Sequence, residues 1–318
     1  EQTNREILAD LKGGVSAIEL VIDPSGMNGV AIGGGDDLNR ALADVILEAA
    51  PVSLDAGQVN VDFDALLLNI LSVSAAGPGD AGALGLWAAE LLEAKLKGVA
   101  AGTAFNVDPI GALMRTGDAA KCDVAEAARF ALRVRERLPD ATALRIDARP
   151  VHEAGGTDAQ EIAAALASGI GYLRALTNAG LGADAAAKSV LFTLALGPDV
   201  LVETSKLRAL RLCWARVLEA SGVAPEDRAA RIHAVSSKRM MTRVDVHTDI
   251  LRVTCAAFAA AIGGADAITT LPFTDALGLP TPFSRRVARN TQFVLMEESR
   301  LDHVADPAGG AWFVEKLT

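Results

Sequence analysis

The feature that most constrains this chain is the way its hydrophobic period alternates. Short runs of β type give way to longer stripes of helical type, and the switch recurs along the whole length. The spacing predicts strands at 17–23, 52–55, 102–106, 143–148, 189–193, 231–235 and 267–271. It predicts helices at 37–48, 62–74, 82–97, 124–138, 158–179, 200–220, 246–262 and 284–298. Strands alternating with helices long enough to cross back read as βαβ units on a parallel sheet. Most strand runs are apolar on both sides, as strands buried on both faces must be. Seven such units predict an α/β fold. It is either a (β/α)8 barrel with one strand unaccounted for or an open doubly wound sheet. Composition nowhere shifts enough to mark a boundary, so one domain is expected over 1–318.

The 318 residues are 51% hydrophobic but only 4% aromatic, and the net charge is −10. Mean hydropathy is +0.28, yet no run approaches the roughly 18 uninterrupted apolar residues of a membrane span. Alanine and glycine supply the hydropathy. The acidic balance argues against nucleic acid, which demands clustered Lys and Arg. No basic amphipathic segment points to a membrane surface. Cys122, Cys213 and Cys255 are scattered and lack CxxC spacing, so neither a disulfide frame nor a zinc site is expected. The opening EQTNREILADL has a polar helical pattern rather than that of a signal peptide. A cytoplasmic setting is the expectation.

Within the helix at 200–220, Leu207, Leu210, Trp214 and Leu218 share one face, while Glu203, Lys206, Arg208 and Arg216 are read as lying off it. Asp158 follows Thr157 with Glu161 three places on, an acidic helix start, and Ser284 is read as a second start.

Few motifs carry chemistry. Gly33-Gly34-Gly35 precedes a helix as a phosphate loop would, but lacks GxxxxGK[ST] spacing, and Asp36-Asp37 would repel an anion; a surface loop is favoured. His152, in VHEAGGT after a strand and beside Glu153, sits where barrel enzymes place catalytic groups, although a locally bonded loop histidine is the commoner case. His233 either lines a barrel interior or is a satisfied core histidine. His247 and His303 have no convincing metal-ligand partner. Arg115, in ALMRTGD, either holds a carboxylate or phosphate with its planar fork or forms a surface salt bridge. The run DPAGG at 306–310 is turn chemistry.

Longer segments are more specific. TDALGLPTPFSRRVARNTQFVLMEES (274–299) and VADPAGGAWFVEKLT (304–318) closely resemble the end of the barrel domain of methylmalonyl-CoA mutases. GMNGVAI (26–32), EAGGT (153–157) and ETSKLRALRLCWARV (203–217) resemble further segments of that family in the same order. The resemblance implies a (β/α)8 barrel whose first strand lies upstream of Glu1. For catalytic members it implies a radical isomerisation of an acyl-CoA, with adenosylcobalamin carrying the hard chemistry.

The same resemblance implies that the polar groups for that reaction are mostly missing. Pro150 stands at the family's catalytic histidine position, with His152 two places beyond it. Phe105 replaces a glutamine in a TIQND-type strand, and the LHTNS-type strand has become ITTLP at 268–272. The SQTSGW-type motif reads AVSSKR at 234–239, and Asp275 takes the place of a glutamate near the corrin. Arg115 matches a substrate-binding arginine. No DxHxxG motif is present. Apolar Phe105 and its neighbours are expected to fill the barrel axis.

The pattern is similar to the small-subunit branch of the family, in which a degenerate barrel packs against a catalytic large subunit. That implies no cofactor or metal bound by this chain, adenosylcobalamin in the partner, and a heterodimer. The alternative is a competent acyl-CoA mutase of altered substrate choice, using His152 and Arg115.

Overall fold

The computed structural model describes residues 1–23, 26, 29–32, 35–47, 49–55, 102–119 and 122–318. The helices expected at 62–74 and 82–97, and Gly33-Gly34, lie outside them. The described residues form α1 (Gln2–Lys12), β1 (Ile18–Val21), α2 (Gly35–Ala41), β2 (Val52–Asp55), β3 (Ala104–Val107), α3 (Pro109–Thr116), α4 (Val124–Arg137) and β4 (Thr142–Asp147). They continue with α5 (Arg149–Glu153), α6 (Asp158–Asn178), α7 (Ala183–Lys188), β5 (Val190–Leu196), α8 (Val200–Ala220) and β6 (Ile232–Ser236). The last elements are α9 (Thr248–Ile262), β7 (Ala267–Thr269), α10 (Pro282–Phe293) and α11 (Trp312–Leu317).

The strand order is β1-β2-β3-β4-β5-β6-β7, that of the chain, and every pairing described between strands is parallel. A doubly wound sheet reverses its order at a switch point; this order does not reverse. Seven of the eight strands a (β/α)8 barrel needs are therefore present, and an eighth is not among the described residues.

Two compact units divide the described residues, Glu1–Arg145 with Ala175–Leu181, and Ile146–Arg174 with Gly182–Thr318. In the first, β1 runs beside β2 from Ile18↔Val52 to Val21↔Asp55. The register of β3 against β4 shifts between Ala104 and Val107, where Asn106 has φ +50. Asparagine tolerates that left-handed conformation better than most residues, and its Nδ2 donates to Ser53 Oγ at 2.6 Å. Buried in β4, Arg145 forks onto Asp55 at 2.7 and 2.8 Å.

Phe105 packs edge-on against Phe130 of α4, with ring centroids 5.7 Å apart. It belongs to the layer between strand and helix, so it does not carry the expected plug of a barrel axis.

In the second unit, β5 runs beside β6 from Phe192↔Ile232 to Leu196↔Ser236, and β6 beside β7. Helix α8 seats Trp214 edge-on against Phe192 at 4.9 Å, and α9 packs alongside α8. Gly169 of α6 makes room for that indole: a Cβ there would meet Trp214 Cζ3 at 2.9 Å. No described helix is long and apolar enough to cross a membrane.

Candidate functional site

The residues that sequence reasoning brought forward meet structure around β5 and β6, within the second unit. Helix α5 is one short turn carrying both Pro150 and His152, where a loop was expected. Proline suits a first turn because that N–H needs no helical partner. Two glycines then end it. Gly155 has φ +95, and a Cβ on Gly156 would meet the Val151 carbonyl oxygen at 2.6 Å. Thr157 caps α6: its Oγ1 accepts from the Gln160 N–H while Gln160 Oε1 accepts from the Thr157 N–H. This is a capping box with Gln160 as its third residue. Glu161, read as part of an acidic helix start, points inward and is 0% exposed.

What Glu161 does there follows from strand lengths. Beyond β4 the ladder on that side of β5 ends with the Ala148 N–H on the Thr193 carbonyl at 3.1 Å. Ala195 and Gly197 therefore need other partners, since a buried backbone group left unpaired is costly. Side chains take over. The Ala195 N–H donates to Glu161 Oε1 at 2.9 Å and the Ala195 carbonyl accepts from Lys206 Nζ at 2.6 Å. The Gly197 N–H donates to Glu203 Oε1 at 2.7 Å. Lys206 Nζ also reaches Glu161 Oε2 and Asp158 Oδ1, each at 3.1 Å, and pairs with Glu203.

Burial pushes the Lys206 ammonium down, but Glu161, Glu203 and Asp158 together hold it above its ordinary range. Burial is also the larger influence on Glu203, raising its carboxyl against the pull of Lys206 and the Gly197 N–H.

His152 joins this cluster from the other side. Its Nε2 lies 2.7 Å from Ser237 Oγ, and its Nδ1 faces Glu161 Oε2 at 3.5 Å. Ser237 Oγ also accepts from the Arg239 N–H. Arg239 Nη1 donates to the His152 carbonyl at 2.8 Å and the Gly156 carbonyl at 3.3 Å. Ser, His and Glu thus stand in the order of a nucleophilic triad. Their burial speaks against that use: Ser237 is 2% and His152 7% exposed, and Glu161 is committed to Lys206 and Ala195.

His152, Asp158 and Glu161 also lie close enough together to hold a metal ion. The Lys206 ammonium stands 3.1 Å from both of those carboxylates and competes with a cation for them.

The other candidates are accounted for individually. His152 pairs with Glu161, not with neighbouring Glu153, which is exposed. His233 is a buried core histidine with Nε2 2.8 Å from Thr269 Oγ1. His247 stacks on Phe273, and His303 is exposed in a turn. Arg115 is half-buried in the last turn of α3, in the first unit, whereas Pro150 and His152 belong to the second. Asp275 opens a short 3₁₀ turn after β7; burial raises its carboxyl, partly offset by Lys238. The three cysteines are free.

Glu161, Lys206, Glu203, Ser237 and Arg239 were missed as a cluster. A signal existed for two of them: Glu203 and Lys206 extend the Leu207–Leu210 stripe one turn toward the helix start. Charge on an apolar stripe is what a buried pair looks like in sequence.

The match to known proteins fits this architecture. The family model described as methylmalonyl-CoA mutase covers residues 19–318. The chain belongs to the methylmalonyl-CoA mutase family. It is 43% identical over its full length to the methylmalonyl-CoA mutase small subunit of Streptomyces virginiae, covering 47% of that protein. It is 36% identical over 99% of its length to the small subunit of Propionibacterium freudenreichii subsp. shermanii, covering 45% of it. A methylmalonyl-CoA mutase large subunit from Porphyromonas gingivalis matches over 58% of this chain at 36% identity, covering 26% of that protein. The chain thus spans about half the length of the small subunits it matches.

Adenosylcobalamin-supported chemistry is what the mutase family implies, and the donor set can be tested against it. Pro150 has no donor or titratable nitrogen to offer a thioester oxygen. The nearest imidazole, His152, is turned to Ser237 and Glu161 on its two nitrogens. As held here, Pro150 and His152 do not fit that chemistry.

Proposed function

We propose that this chain is the barrel domain of a non-catalytic mutase subunit. Its role is to stabilise a homologous, adenosylcobalamin-dependent large subunit that interconverts methylmalonyl-CoA and succinyl-CoA. The observation that carries the reading is the state of α5. Pro150 occupies the position where the resemblance implies the catalytic histidine, and His152 is held in a buried network that completes the edge of β5. A fold kept intact while its reactive position is apolar and its nearest imidazole is structural is what an interaction role requires. The small-subunit names of the long-range relatives, and the large-subunit name of another, support a partner of the same fold.

The experiment is purification of the full-length protein from its native source under mild conditions. A homologous mutase subunit is expected to co-purify in fixed stoichiometry, with cobalamin accounted for by that subunit. A protein that purifies alone, or carries its own equivalent of cobalamin, overturns the reading. The competing reading, a competent mutase using His152 and Arg115, requires His152→Ala to abolish turnover of the assembled protein; unchanged turnover removes it.

A further inference from the structure

The network around His152 has a consequence for motion as well as stability. The segment 149–157 is a single helical turn followed by two glycines, and by itself such a piece holds little structure, because helices this short are marginal. Two attachments reach it from the turn after β6. Ser237 Oγ holds the His152 ring at 2.7 Å. The Arg239 guanidinium spans the carbonyls of His152 and Gly156 at 2.8 and 3.3 Å. These residues are two apart on one turn, which is itself fixed by the Ser237 N–H on the Leu196 carbonyl at 2.8 Å and by the Arg239 N–H on Ser237 Oγ.

We propose that Ser237 and Arg239 form a two-point latch that holds the segment 149–157 closed against the end of β6. The ring of His152 serves as its internal ligand.

Ring and backbone are held separately by the turn after β6, beside the contacts of His152 with Glu161 and of Arg149 with Asp147. Hydrogen bonds from a charged guanidinium are the stronger sort, and both of its acceptors are backbone carbonyls, insensitive to which side chains the segment carries.

Amide hydrogen exchange on the full-length protein tests it, because exchange reads local opening residue by residue. The reporters are the N–H groups of Ala154, Gly155 and Gly156, bonded to the carbonyls of Pro150, His152 and Val151. In Arg239→Ala these amides are expected to exchange at least about tenfold faster, while those within α8 keep their rates. Ser237→Ala is expected to act in the same direction, and His152→Gly to be slowed again by millimolar imidazole, which refills the space of the lost ring. Unchanged rates at the three reporters in Arg239→Ala overturn the latch. So does an equal acceleration through α8, which would mean a general loosening of the unit, and so does a His152→Gly variant indifferent to imidazole.

Discussion

Lys206 gathers three carboxylates inside the second unit. Its side chain is wholly buried, and it meets Asp158, Glu161 and Glu203 together with the Ala195 carbonyl. Removing one partner of a buried ion pair leaves the other charge uncompensated, which typically costs about 3–5 kcal/mol. Lys206→Met is therefore expected to lower stability by about that amount in urea unfolding. Glu203→Gln is expected to cost less, because the amide oxygen still accepts from the Gly197 N–H. A Lys206→Met variant as stable as the parent would show that the cluster is incidental.

The same residue sets a pH dependence. A lysine raised above its ordinary value of 10.5 contributes stability that is complete below that value and lost as pH climbs through the folded one. The difference in Tm between the parent and Lys206→Met should shrink as pH rises beyond 10.5. A difference independent of pH would contradict the charge-based account.

At the scale of elements, packing decides where propensity alone misleads. Gly169 lies inside α6, where alanine is intrinsically favoured by about 1 kcal/mol. A Cβ there would meet Trp214 Cζ3 at 2.9 Å and Ile146 Cδ1 at 3.3 Å, both on well-packed groups. Overpacking of this kind costs about 1–3 kcal/mol, so Gly169→Ala is expected to lower Tm despite the better helix former. A raised Tm would show that the indole shifts freely.

Elements were legible in the sequence to the degree that they are long and amphipathic. Helix α8 runs from Val200 to Ala220, as its period predicts, with Asp199 accepting from the Val202 N–H at its start. Strand β2 matches its expected span, and β5 extends three residues beyond its own. The short helices α3, α5, α7 and α11 escaped because one or two turns hold too little period to read. For α3 the sequence did hold a signal, Asp108 before Pro109, and Asp108 does cap it. The start of α10 lies at Thr281, which shares a capping box with Ser284. Ser284 is thus the third helical residue and not the cap.

The site was less legible than the fold. Its key contacts join Glu161 to Ala195 and His152 to Ser237, residues far apart in sequence whose meeting depends on β4 ending before β5. Burial of Glu203 and Lys206 was hidden by the assumption that charge marks a solvent face.

At the scale of the whole molecule, an α/β chain of the mutase family carries a proline at position 150 and a buried, hydrogen-bonded histidine at 152. Exposed apolar side chains crowd its last quarter, among them Val244, Leu279, Phe283, Trp312 and Phe313. Under the proposed function, this protein does not itself perform the isomerisation. The direct measurement is turnover of methylmalonyl-CoA by the purified full-length protein, free of any partner subunit, with adenosylcobalamin added in excess. No succinyl-CoA above the rate without protein is expected. Partner-free, cobalamin-dependent turnover would contradict the proposed function.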